Sequence, residues 1–209
     1  MLPLGYKEIN EMADKINAPQ CIVARGVRLF EETHEAPILQ HRSIAASAAA
    51  CLYIACRLEK APRTFKEICA VSSISRKELG NCFLRIVKVN QMSIGRITTN
   101  DFIPRFCAKL GLPSKVHRWA SHIARKATEI GLVAGRNPIS VAAAAIFVAS
   151  QGSDSRKTVK EICGISGVSG STIRHLYRLM CPYAKELFPE NVKDSATLHD
   201  MPRHHEAYG

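Results

Sequence analysis

The run Ser169-Gly-Ser-Thr-Ile-Arg-His-Leu-Tyr-Arg178 holds Ser171, Arg174, His175 and Arg178 at spacings of three and four. On a helix opened by Ser169 these four side chains share one exposed face. The face offers two guanidinium forks, an imidazole and a hydroxyl. An arginine fork can donate to both major-groove acceptors of guanine at once, and a hydroxyl suits a base edge or a phosphate. This is chemistry for recognising an anionic polymer rather than for breaking bonds. The plain alternative is a surface helix with solvated arginines.

The residues ahead of this helix suit the same purpose. Thr158-x-x-Glu161 is a capping box that opens a short helix. Gly164-Ile-Ser-Gly-Val-Ser-Gly170 can turn the chain, and Ser169 caps the next helix. A helix, a glycine-containing turn and a second helix can present the first turns of that second helix to a major groove. Lys160, near the start of the first of the two, suits a phosphate. Arg136 precedes an apolar helix whose N-terminus carries a positive dipole and free N–H groups, a natural phosphate seat. Arg42 stands at the matching place earlier in the chain. His41-Arg42 and Arg136-Asn137 are thus backbone-contact candidates, with ordinary helix caps as the alternative.

That correspondence is general. Residues 12–88 shifted by 94 fall on 106–182 without a gap. Thr64-Phe-Lys-Glu-Ile-Cys-Ala-Val-Ser-Ser-Ile-Ser75 lands on Thr158-Val-Lys-Glu-Ile-Cys-Gly-Ile-Ser-Gly-Val-Ser169, identical at seven of twelve positions. The period is too long for a solenoid and long enough for a small domain with its own core. Both copies read as helical throughout, so the expected class is all-α, with about five helices per copy. The expected spans are 5–17, 19–34, 43–59, 64–71 and 75–89, then 99–111, 113–130, 137–151, 158–165 and 169–181. The expected domains are 1–95 and 96–189, and then a loose tail over 190–209. Pro19 and Pro113 match, each read as the first helical residue. Ile44–Cys56 and Ile139–Ser150 are apolar on nearly every face yet too short to span a bilayer, so other helices must sheath them.

Composition narrows the function classes. The 209 residues carry a formal net charge of +11. Residues 1–95 hold 13 basic and 9 acidic side chains, and residues 96–209 hold 16 and 9. Such a balance suits nucleic acid, or simply solubility. The eight cysteines form no C-x-x-C pair and sit mostly in apolar helical runs, which reads as buried free thiols rather than zinc ligands or disulfides. Gly167-Val-Ser-Gly-Ser171 lacks the last glycine of a nucleophile elbow, and no H-E-x-x-H or phosphate-binding loop occurs. No catalysis, cofactor, metal or membrane contact is expected.

Several of these segments resemble one family. Pro62–Ser72, Ile74–Phe83, Pro138–Ile146 and Thr172–Arg178 are similar to the core of the eukaryotic transcription factor IIB family, two cyclin-like repeats in tandem. The likeness runs from about Tyr6 to Pro189. It implies a monomeric nuclear core that clamps the complex of TATA-box-binding protein with promoter double-stranded DNA and helps position RNA polymerase II. It also implies that the positions of Ser171 and Arg174 meet the element upstream of the TATA box. The family often has an aliphatic residue where this chain has Ser171. By the same resemblance the first repeat grips the acidic stirrup of TATA-box-binding protein, with Arg57, Arg63, Arg76 and Lys77 as candidates and Lys88 as a weaker one. The family's zinc ribbon has no counterpart in these residues, so promoter binding without ribbon-mediated recruitment is the expectation. A cyclin-like kinase activator, or another protein-binding module, shares the fold and is the rival reading.

Overall fold

The computed structural model describes residues 2–33, 35 and 43–190. The chain divides into two compact units between Ile97 and Thr98. Every regular element among the described residues is helical, and no helix there is long and apolar enough to cross a membrane.

The first unit holds α1 (Leu2–Lys15), α2 (Gln20–Thr33), α3 (Ile44–Leu58), α4 (Phe65–Val71) and α5 (Arg76–Val89). Helix α3 is the axis: every residue from Ala46 to Cys56 is buried. It carries no charge until Arg57, so α1, α2 and α5 can pack around it without desolvating an ion. Small residues allow the close approach. A Cβ added at Gly26 of α2 would lie 3.6 Å from the Leu52 Cα of α3. Between α1 and α2 the fit is tighter still, since a Cβ at Gly5 would fall 2.1 Å from Phe30 Cε1.

The second unit opens with a 3-10 turn (Thr99–Asp101). It continues with α6 (Ile103–Lys109), α7 (Ser114–Glu129), α8 (Pro138–Gln151), α9 (Val159–Ser166) and α10 (Gly170–Met180). Helix α8 repeats the role of α3, with every residue from Val141 to Gln151 buried and no ionisable side chain on it. A 3-10 turn (Cys181–Tyr183) and α11 (Ala184–Leu187) come next, which the sequence pattern did not reveal. They bring Phe188 against Trp119, ring centroids 5.5 Å apart, and so close the base of α7.

The prolines behave differently from the expectation. Pro113 is extended (ψ 156°) and stands just before α7, and Pro19 likewise precedes α2. The reason lies in how the preceding helix ends. Asn17 (φ 50°) and Gly111 (φ 63°), 94 residues apart, both take the left-handed conformation. The Ala18 N–H donates to the Ala13 carbonyl and the Leu112 N–H to that of Cys107, each at 2.9 Å. These are paired Schellman ends, after which proline stops the chain from re-entering the same helix. At the other end, α1 begins at Leu2 rather than at residue 5, with Pro3 in its first turn where no N–H is needed. Among the cysteines, Cys51, Cys56 and Cys82 are buried, and burial pushes the Cys51 thiol up to about 12. Cys69 and Cys163 are only half-buried. The expected tail beyond Glu190, with His204 and His205, lies outside the described residues, as do His41 and Arg42.

Candidate nucleic-acid interface

Capping chemistry fixes the start of α9. The Thr158 hydroxyl accepts the Glu161 N–H at 3.2 Å, and a Glu161 carboxylate oxygen accepts the Thr158 N–H at 2.7 Å. The Thr158 N–H and hydroxyl hold the Glu161 carboxyl below the usual carboxylate range, and Lys157 at 3.3 Å adds to this. Helix α9 stops at Gly167, whose φ of +75° would strain any side chain and whose N–H donates to the Cys163 carbonyl at 3.0 Å. The Ser166 hydroxyl then accepts the Val168 N–H at 3.2 Å, so the turn is bonded rather than loose. Ser169 restarts the helix by accepting the Thr172 N–H at 3.2 Å, as its position suggests.

Helix α10 is sharply two-sided. Ile173, Leu176, Tyr177 and Met180 are buried, with the Tyr177 ring edge-on to Phe147 of α8 at 5.0 Å. The opposite side presents Ser171, His175 and Arg178 to solvent. Arg174 is not fully exposed as expected but half-buried. Its guanidinium lies over the start of its own helix: a Cβ at Gly170 would come within 3.3 Å of Nη2. Gly170 is thus the seat of Arg174, a role that the sequence suggests only in hindsight, from a glycine four residues before an arginine.

One contact ties distant parts of this surface together. Arg136 Nη2 lies 3.2 Å from His175 Nε2, across 39 residues of sequence. Arg136 is exposed in the segment just ahead of α8, whose cap is Asn137 accepting the Ile139 N–H at 2.9 Å. Lys160 is exposed in the first turn of α9. Arg42, the counterpart of Arg136, lies outside the described residues.

The four candidates in the first unit fall into two pairs. Arg76 and Lys77 are exposed in the first turn of α5, opened by the Ser75–Glu78 capping box. Arg57 and Arg63 are half-buried and engaged within the fold. Arg57 Nη2 donates to the Gly95 carbonyl at 2.7 Å, and its guanidinium carbon sits 6.0 Å from the Tyr53 ring centre and 5.8 Å from that of Phe83. Burial pushes the Tyr53 phenol up, against the pull of that guanidinium. Arg63 donates to the Ala61 carbonyl at 3.0 Å and, at 3.5 Å, to that of Ile16 near the end of α1. The i, i+4 spacing of Tyr53 and Arg57 was the available signal for that stacking. Among the described residues no group of His, Cys, Asp and Glu could hold a metal ion.

Two all-α repeats, each with a helix-turn-helix after its buried central helix, define a tandem cyclin-like core. Family comparison agrees with this class: the model of the transcription factor TFIIB repeat matches residues 2–89 and again 93–183. The transcription initiation factors IIB of Drosophila virilis, Drosophila melanogaster and Homo sapiens are each 54% identical to it over 199 residues, 95% of this chain. The chain spans 68% of the length of the first and 63% of the other two. It belongs to the TFIIB family, a family of transcription factors and not of enzymes.

Proposed function

We propose that this chain is a promoter clamp of the nuclear transcription machinery. It binds the complex of TATA-box-binding protein with promoter double-stranded DNA and helps assemble RNA polymerase II there. The second repeat, 96–189, serves the DNA: α10 enters the major groove upstream of the TATA box, with Arg174 on a base edge and Ser171 beside it. Arg178, Lys160, Arg136 and Arg42 hold phosphates. The first repeat, 1–95, serves the protein, with Arg76 and Lys77 against acidic groups. Arg57 and Arg63 act mainly as supports that shape this face from within. The chain works as a monomer, without cofactor or metal.

The observation that carries the reading is the outward side of α10, where Ser171, His175 and Arg178 face solvent around Arg174 on a capped, glycine-turned helix. A gel-shift titration tests it. The chain should join a preformed complex of TATA-box-binding protein and promoter DNA, with affinity falling as salt rises. Arg174→Ala should cost about 1–3 kcal/mol and flatten the preference for upstream bases. Failure to join the complex sinks the clamp and favours a kinase-activating or other protein-binding module. An equal loss on all upstream sequences reduces Arg174 to a phosphate contact.

A further inference from the structure

We propose that residues 92–95 are a strap of the first unit rather than a free tether, and that Arg57 is its latch. The joint between the repeats is thereby confined to Arg96 and Ile97. The consequence for binding rests on the promoter reading above.

The hold on this segment can be followed residue by residue. Helix α5 ends on a left-handed Gln91 (φ 48°), and the Met92 N–H donates back to the Val87 carbonyl at 3.1 Å. Met92 and Ile94 then pack half-buried against the core of the first unit, while Ser93 and Gly95 are exposed. At the end of this stretch Arg57 Nη2 donates to the Gly95 carbonyl at 2.7 Å, across 38 residues of sequence. There the hold stops. Arg96 is exposed, and among the described residues no hydrogen bond reaches Arg96 or Ile97. The Thr98 N–H, bonded to the Asp101 carboxylate at 2.6 Å, begins the second unit.

Packing alone does not call for an arginine here. An apolar side chain would also fill the place beside the Tyr53 and Phe83 rings, whereas Arg57 Nε is buried there without a hydrogen-bond partner, at a cost. What arginine adds is reach: a stem stacked on two rings with a charged donor at its far end. The second repeat has the same device on a shorter scale. Gln151, 94 residues on, donates to the Lys157 carbonyl at 2.9 Å and ties down the loop that follows its own helix. Arg57 reaches past α4 and α5 to the segment that leaves the repeat. The volume explored by a flexible joint grows as about the 3/2 power of its length. Holding the joint to two residues, rather than the five from Ser93 to Ile97, keeps each unit roughly fourfold more concentrated near its own partner once the other is bound.

Limited trypsin digestion of the whole chain tests the latch, and fluorescence anisotropy tests its consequence. Arg57→Met keeps a stem against the rings and removes the donors. It should speed cleavage after Arg96 at least about tenfold, because loss of a charge-assisted hydrogen bond shifts the local opening equilibrium by that order. Arg25→Met, which breaks the Arg25–Glu59 pair at the end of the same helix, should leave that cleavage unchanged. Affinity of Arg57→Met for the preformed complex of TATA-box-binding protein and promoter DNA should fall up to about fourfold, with no loss toward TATA-box-binding protein alone. A Gly-Ser-Gly insertion between Arg96 and Ile97 lengthens the joint with Arg57 intact and should cost about the same factor. That variant decides the matter if Arg57→Met unfolds the unit. Cleavage of Arg57→Met at the wild-type rate, equal acceleration by Arg25→Met, or an insertion without effect on affinity overturns the inference. An equal loss toward TATA-box-binding protein alone makes Arg57 a direct contact and overturns it too. Faster cleavage of Arg57→Met, with no complex formed by the wild type, upholds the latch and sinks the promoter reading.

Discussion

Residues 64–84 and 158–178 correspond at a shift of 94, and they diverge along one line of their second helices. In the first repeat the line reads Lys77, Gly80, Asn81 and Leu84; in the second it reads Ser171, Arg174, His175 and Arg178. The buried sides agree in character: Leu79, Cys82 and Ile86 answer to Ile173, Leu176 and Met180. The outward sides do not. Leu84 is 64% exposed where the second repeat has Arg178, and Gly80 lies near the Phe65 ring where the second repeat has Arg174. A groove reader needs donors along its whole outward line. The first repeat keeps Arg76 and Lys77 in its opening turn, shows the aliphatic Leu84 in mid-helix and returns to an exposed cation only at Lys88 in the last turn. Packing constrains one side of each helix; on the proposed reading, the partner constrains the other.

The turns differ as well. Helix α4 ends at Val71 and leaves through an extended Ser72, whereas α9 runs to Ser166 and leaves through a left-handed Gly167. The second helix is therefore delivered by different backbone paths in the two repeats, even though Ser75 and Ser169 cap it alike.

A carboxylate introduced at matched positions should break this comparison most strongly. Ser171→Glu and Lys77→Glu place the same carboxylate at corresponding exposed positions. Ser171→Glu should weaken promoter DNA binding at least about tenfold, ~1.4 kcal/mol, while leaving contact with TATA-box-binding protein nearly intact. Lys77→Glu, and Arg76→Glu beside it, should do the reverse. Binding assays with DNA and with TATA-box-binding protein separately decide it, and equal losses from both variants would mean that the repeats are not specialised. A smaller effect is expected from the turns. Gly167→Ala should lower stability by about 1–2 kcal/mol, because a Cβ resists the left-handed conformation, whereas Ser73→Ala at the matching position should be nearly neutral. Thermal unfolding of both variants measures this, and equal shifts would show that the backbone paths do not matter.

The smallest effect concerns acid. Glu161 titrates below its unfolded value when folded, so its stabilising share is present above the ordinary carboxylate range. It is lost as pH falls through the folded value. Glu161→Gln keeps the capping geometry and should remove that part of the acid sensitivity, read as a flatter urea midpoint between neutral and acid pH. An unchanged acid slope would place the sensitivity elsewhere.

Much of this was legible in the chain because caps and cores use short-range rules. Thr64, Thr158, Ser75 and Ser169 each announce a helix start, and the apolar runs announce α3 and α8. What escaped depends on distance in sequence. Arg57 and Arg63 looked like surface cations until Gly95, Phe83 and Ile16 supplied their partners. The Arg136–His175 bond spans 39 residues, and no local pattern encodes it. Gly170 is legible only once Arg174 is known to fold back over it. The Pro19 and Pro113 shift arose because proline suits both the first helical residue and the residue just before it, and only the left-handed Asn17 and Gly111 choose between them.

Helix α8 has one more consequence. It lies directly behind α10 as a layer of Ala, Val, Ile and Phe without a fixed charge. Such a layer polarises weakly, so the field of Arg136, Arg174 and Arg178 is not quenched from behind and spreads instead into the water in front. On the promoter reading, a helix that holds the unit together also acts on kinetics: it lengthens the reach over which the polyanion is drawn in and turned, before any side chain has touched it.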